Sequence, residues 1–370
     1  MGINFVGEIV DKPRIKIGYI GCGSHSRRNI LPALKFAADS VETVAVCDLK
    51  YEKAQVFASE FGFKRAYGNH IEMLEKEDLD AVFIVTGYGE GLRPVYPALA
   101  KDCIEYGCHV FTEKPPAATA GELVSLKELA DAKNKEVMIG FKKMFFPANE
   151  KAKRLSEDTS FGGISMALLQ YPQYLPGQQE LTDYNNGKPL GSVCAFLDHL
   201  CHPVSLLVYL MGYPASMNYM RGADGTGIVC FSFADGSIAS VALTCGASSN
   251  GGMEHTQIFA KNKGRHISIE NNIKVSLYRT PPDLHYGASP SFYTGTPENA
   301  TAVWEPEFSL GQLYNKGLFL LGYYGEVEAF AQAVLNKTRV PKAGLDDAIM
   351  ITKIFEAFAQ GANKIIELSR

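Results

Sequence analysis

Between residues 15 and 140, short β-rich runs alternate with amphipathic helical stretches, and this alternation limits the fold more than any other feature. Ile15–Ile20, Val41–Cys47, Ala81–Val85, His109–Thr112 and Val137–Gly140 read as strands. Arg27–Ala38, Glu52–Phe61, Pro94–Tyr106 and Ala120–Asn134 read as helices between them. Ala81–Val85 is apolar throughout, as a strand covered on both faces must be. Repeated βα units predict a parallel sheet with right-handed crossovers.

The first strand runs into Gly21-Cys22-Gly23-Ser24-His25-Ser26, which opens a helix. Such a turn suits a dinucleotide pyrophosphate. The first glycine permits the tight turn, the second lets backbone approach the phosphates, and the helix start supplies N–H groups. Ser26 replaces a third glycine with another small residue. Gly21, Gly23, Ser24 and His25 are therefore expected against the cofactor. Asp48 ends the second strand, where a carboxylate accepts from ribose hydroxyls and repels a 2′-phosphate. NAD is the expected cofactor, with NADP left open by nearby Lys50. Thr86-Gly87, at the carboxyl end of a strand, is expected on the nicotinamide side.

The pattern changes near residue 145, giving an expected dinucleotide domain over 1–145 and a second domain over 146–370. Its signals are a helix Ala148–Leu155, a strand Ile164–Tyr171, a polar Tyr-rich loop Pro172–Leu190 and an apolar helix Ser192–Met211. Five strands follow, Ala215–Arg221, Gly227–Phe233, Ser237–Cys245, Glu254–Ala260 and His266–Ile269, with a hairpin at Ala234-Asp235-Gly236. Short turns make this sheet largely antiparallel. Residues 280–316 read as a long functional or interface loop. Helices Tyr324–Leu335 and Asp346–Leu368 complete the reading. The expected fold class is an α/β Rossmann domain followed by an α+β domain with a large, mostly antiparallel open sheet. The last helix is a candidate to pack back on the first domain.

A formal charge of −4 with no Lys/Arg block argues against a nucleic-acid partner. No uninterrupted apolar run suggests a bilayer span. Met1–Val10 lacks the order of a secretory signal, so a cytoplasmic protein is expected. The eight cysteines form no CxxC pair, which favours buried free thiols over disulfides or zinc.

Lys114 follows the strand His109–Thr112 within Glu113-Lys114-Pro115-Pro116. From that edge a lysine points toward the nicotinamide, although a surface lysine before two prolines is the plainer reading. Asp198 and His202 lie four apart on one face of an apolar helix. They need each other or a ligand. A satisfied Asp–His pair in the core is the alternative. A metal site with His199 is not expected, because His199 is read as pointing away and no further ligand cluster stands nearby.

Together these motifs resemble the Gfo/Idh/MocA oxidoreductases. The resemblance rests on the GxG turn, Asp48, Glu113-Lys114-Pro115, the Asp198-x-x-x-His202 helix and the C-terminal stretch around Asp346-Asp347-Ala348. It implies catalytic Lys114, Asp198 and His202, and cofactor contacts from Glu113 as well as Lys114. It also implies a cis Lys114-Pro115 bond. Leu200 and Ser205 depart from the common D-x-G-x-H-x-x-D, Tyr88 follows Thr86-Gly87 where Thr-Pro is common, and Lys142-Lys143 replaces Asn-Arg. Lys143 is carried as a substrate-side residue.

The expected reaction is reversible alcohol–ketone hydride transfer on a sugar, polyol or glycoside. His202 is the expected base because imidazole titrates near neutrality, with Lys114 holding the reacting oxygen. Lys114 as proton acceptor stays open. Tyr174, Asp183 and Tyr184, in the loop before the catalytic helix, are expected to contact substrate. Two other functions stay in view: a redox-cycling glycosidase or lyase, and a non-catalytic dinucleotide sensor. The uncharged hairpin Gly227–Phe233/Ser237–Cys245 is apolar on both faces, which predicts sheet-to-sheet packing in a homo-oligomer.

Overall fold

The computed structural model describes residues 13–248, 253–280, 296, 299–307 and 316–368. Six strands form the first sheet: β1 (Ile15–Ile20), β2 (Val41–Cys47), β3 (Arg65–Tyr67), β4 (Ala81–Ile84), β5 (His109–Thr112) and β6 (Val137–Ile139). They run parallel in the order β3-β2-β1-β4-β5-β6, the doubly wound arrangement. The order reverses between β1 and β4, so the loops after these two strands diverge and leave a crevice at their carboxyl ends. β4 is buried along its whole length, as its apolar run requires.

Nine strands form the second sheet: β7 (Ile164–Tyr171), β8 (Ser216–Arg221), β9 (Gly227–Ser232), β10 (Ile238–Leu243), β11 (His255–Ala260), β12 (Arg265–Glu270), β13 (Lys274–Arg279), β14 (Ala302–Trp304) and β15 (Ile366–Glu367). Every neighbouring pair is antiparallel except β7 with β10. Strands β3, β13, β14 and β15 escaped the sequence reading. β3 and β14 span three residues and β15 two, too few to show a period. The region expected as one loop from 280 to 316 contributes β14, and most of the rest of it lies outside the described residues. The expected last helix stops at Phe358 and the chain returns as β15 beside β8. The Pro172–Leu190 loop contains a helix, Gln178–Asn185.

The helix Gly191–Met211 carries the candidate dyad. By length and composition it could cross a membrane, but 72% of its apolar window is buried inside the protein. Val193, Phe196, Leu200, Val204 and Leu207 anchor it in the core. The helix Tyr323–Leu335 lies against the first sheet, where Phe330 meets Phe83 and Phe111 edge-on at centroid distances of 5.4 and 5.9 Å. All eight cysteines are free. Six are buried as expected, but Cys230 and Cys245 are exposed.

Candidate active site

A cavity of about 830 Å³ occupies the crevice beyond β1 and β4, within the range of small-ligand sites. Gly21 turns the chain with φ of +106°, and a Cβ there would lie 2.1 Å from the Val85 carbonyl oxygen, so only glycine fits. At Gly23 a Cβ would meet nothing within 4 Å, which leaves the backbone open to the cavity. Ser26 donates its hydroxyl to the Gly21 carbonyl at 2.8 Å and locks the turn to the helix start. Ser24 and His25 line the same cavity.

Asp48 stands at the far end. Its Oδ2 accepts from the Cys22 amide at 2.8 Å and its Oδ1 from the Lys50 amide at 2.9 Å. A carboxylate offers about four lone-pair sites, so two remain for an incoming hydroxyl pair. Lys50 is exposed and does not line the cavity, whereas Lys53, in the first turn of the next helix, does. Thr86 and Gly87 border the opposite wall. The Tyr96 hydroxyl donates to the Thr86 carbonyl at 2.9 Å. The Thr86 Oγ1 is buried without a hydrogen-bond partner among the described residues. An open glycine cradle, a ribose-height carboxylate and an orphaned hydroxyl together fit a dinucleotide.

Lys114 closes this cavity at its inner end, and the Lys114-Pro115 bond is cis. Lys114 Nζ donates to Asp198 Oδ1 at 2.8 Å, bridging the two sheets' halves of the molecule. Burial opposes the Lys114 charge, yet Asp198 and Glu113 more than offset it, and the pKa stands above the usual lysine value. Glu113 is buried, with Oε1 at 2.9 Å from His25 Nε2 and Oε2 accepting from the Lys114 amide at 3.1 Å. Burial alone would raise its pKa, but His25 and Lys114 hold it below the ordinary value. A Cβ at Gly140 would lie 3.1 Å from this carboxylate, so the glycine makes room for it.

Asp198 is thus paired with Lys114 rather than with His202, and the simple core Asp–His pair is not what forms. The His202 ring lies 6.0 Å from Tyr171 and 6.3 Å from His199. Burial, and then Lys114, Lys143 and Lys142, push its pKa well below the usual imidazole value. That direction weakens the ring as a proton acceptor and argues against the expected role of His202 as the base. His199 does not point away: its Nε2 lies 3.7 Å from Asp198 Oδ2.

Lys143 is buried and ion-paired with Glu254, its pKa lowered by burial. Its Nζ lies 5.8 Å from the ring of Tyr171, the same ring that packs 6.0 Å from His202. Lys142 donates to the Tyr323 hydroxyl at 2.8 Å. Tyr323 packs against His25 at 5.7 Å. Tyr323, Tyr96 and Glu254 were missed, and Tyr88 and His199 were noticed without being given a place in the site. They come from five different segments, and only Tyr88, beside Thr86-Gly87, and His199, next to Asp198, carried a local signal.

Three expected substrate residues lie elsewhere. Tyr184 is fully buried, its ring edge-on to Phe355 and under the Arg93 guanidinium, with its hydroxyl donating to the Leu92 carbonyl. It is a strut between the two halves. Asp183 pairs with Lys188 at 2.9 Å on the surface. Tyr174 donates to Glu180 and stacks with Arg221. None of the three lines the cavity. The helix Gln178–Asn185 turned the loop's polar groups toward one another. Among the described residues no group of His, Cys, Asp and Glu could hold a metal ion.

Residues 15–141 match the family model described as the oxidoreductase family with an NAD-binding Rossmann fold. Over this stretch, about a third of the chain, the protein is similar to the Gfo/Idh/MocA oxidoreductases. The chain is also similar to inositol 2-dehydrogenase of Burkholderia cenocepacia, 28% identical over 200 residues, 54% of this chain and 55% of the relative. The match therefore spans about half the length of that curated relative. Among solved structures, a dehydrogenase from Chromobacterium violaceum superposes with a TM-score of 0.76 at 21% identity, covering 94% of this chain and 95% of the other. Myo-inositol 2-dehydrogenase from Lactobacillus plantarum gives 0.68 at 21% identity, covering 96% and 99%. These likenesses show that the two-sheet, two-domain fold is shared along nearly the whole chain.

Proposed function

We propose that the protein is an NAD-dependent dehydrogenase that interconverts a secondary alcohol and a ketone on a sugar or polyol of the inositol type. The observation that carries this reading is the Lys114–Asp198 hydrogen bond at the inner end of the dinucleotide cavity. Bound NAD supplies the hydride acceptor. Gly21, Gly23, Ser24 and His25 would hold its pyrophosphate side, Asp48 its ribose, and Thr86, Gly87 and Glu113 its nicotinamide side.

Lys114 carries a firm positive charge within a largely enclosed site, and would donate to the reacting oxygen and stabilise its developing negative charge. As the hydroxyl proton arrives, Lys114 passes one of its own to Asp198 and stays an ammonium. The uncharged His202 would orient the substrate hydroxyl by hydrogen bonding. The names of the relatives, inositol dehydrogenases at 28% identity, support a polyol substrate. NADP stays a second candidate cofactor, with Lys53 as the cation near its extra phosphate.

The test is a screen of sugars, polyols and glycosides with NAD and with NADP, followed at the nicotinamide absorbance with product analysis. Net NADH with a ketone product supports the reading. Cleavage of a glycoside without net NADH moves the assignment to a redox-cycling lyase.

A further inference from the structure

We propose that His199 is the outlet of a proton relay that runs from the reacting hydroxyl through Lys114 and Asp198 to solvent. The proposal rests on the dehydrogenase reading above. Oxidation of an alcohol by NAD releases a hydride to the cofactor and one proton, and that proton must leave a site whose Lys114 and Asp198 side chains are mostly buried.

The side chains form a graded path. Lys114 is 17% exposed, Asp198 22% and His199 53%. Lys114 Nζ donates to one oxygen of Asp198 at 2.8 Å, and the other oxygen faces His199 Nε2 at 3.7 Å. That second gap exceeds a hydrogen bond by a few tenths of an ångström, which a small swing of the exposed ring closes. The charged groups that act on His199 are Asp198, on its own helix, and Lys114, from the loop after β5. His202 lies on the same helix with its ring 6.3 Å away. Burial lowers the His199 pKa, which suits a ring that releases its proton at neutral pH.

The balance closes without a further reactant. The substrate O–H bond breaks as its C–H bond gives hydride to NAD. The proton reaches Lys114 Nζ while Lys114 releases one to Asp198 Oδ1. A half-turn of the Asp198 carboxyl group presents that proton to His199, which gives it to buffer. No net charge remains on the three side chains after each cycle.

The experiment follows NADH and the released proton together, the latter with a pH-indicator dye, after rapid mixing of protein, NAD and an active polyol in dilute buffer. In the wild type the two signals should rise together. In His199→Ala and in His199→Gln, which keeps a polar group that cannot titrate, the proton should lag NADH by about tenfold, and added imidazole should close the gap. Coincident signals in both variants overturn the relay, as does a lag that imidazole leaves unchanged. A wild type that reduces neither dinucleotide with any polyol overturns the dehydrogenase reading, and the relay with it. A wild type that turns over leaves the relay to be decided by the variants alone.

Discussion

Lys114 Nζ and Asp198 Oδ1 are 2.8 Å apart although 84 residues separate them in sequence. One comes from the loop after the fifth strand of the parallel sheet, the other from the long helix of the second domain. The pair exists only when the two halves dock, and it ties the cofactor cleft to the substrate side. Removing the Lys114 ammonium or the His202 ring should remove interactions that strengthen in the transition state. Lys114→Ala and His202→Ala should each lower kcat by roughly two to four orders of magnitude, with NAD affinity changed far less. Steady-state kinetics beside calorimetric NAD titration checks this, and near-wild-type turnover in both would place the chemistry elsewhere.

The carboxylate of Asp48 should set cofactor choice. Its two oxygens hold the glycine turn and the Lys50 amide while facing the cavity. Losing a charged acceptor costs about 1.5–3 kcal/mol, so Asp48→Ala should weaken NAD binding roughly ten- to hundredfold. The same change removes the repulsion of a 2′-phosphate, and the NAD/NADP preference should narrow. Dissociation constants for both cofactors measure it. An unchanged ratio would show that Asp48 does not face the ribose.

Glu326 is completely buried, and both carboxyl oxygens lack a hydrogen-bond partner among the described residues. Burial and then Glu113 raise its pKa well above the ordinary value, so the folded protein holds it neutral. The unfolded chain loses that proton above about pH 4.3, and folded protein then binds more protons than unfolded. Stability should therefore fall as pH rises from there. Glu326→Gln mimics the neutral form and should be more stable than wild type, by a margin that widens from pH 5 to pH 8. Urea midpoints of the two proteins across that range test the sign. A margin that shrinks with pH would mean that Glu326 is ionised in the fold.

The second sheet leaves Met220, Ile228, Cys230 and Ile238 exposed on the face away from the helices, while Val229, Phe231, Val241 and Leu243 are buried beneath. We expect this face to meet a second copy of the chain. Light scattering at low micromolar concentration should give a mass at least twice 40.4 kDa, and Ile228→Glu with Ile238→Glu should reduce it to the monomer. A wild-type monomer would assign the face to some other cover.

The alternation of β1 to β6 with helices was legible because each strand carries its own period and the glycine turn has a fixed place in such a sheet. Gly21, Asp48 and Lys114 were legible for the same reason, since each sits at the carboxyl end of a recognisable strand. Tyr184 was misread because a polar loop and a polar helix look alike in composition, and only packing against Phe355 and Arg93 reveals a strut. His199 was misread because neighbours on a helix differ by about 100°, which ignores how far a flexible ring reaches from an exposed edge. Glu254 and Tyr323 carried no local signal at all. They enter the neighbourhood of the site through strand register and helix docking, which are long-range outcomes.

The account stands most directly on one calorimetric titration of the purified protein with NAD and with NADP. It predicts saturable one-to-one binding of a dinucleotide, NAD the tighter of the two, and loss of most of that affinity in Asp48→Ala. Absence of heat or saturation with both cofactors would contradict the dinucleotide site and everything built on it.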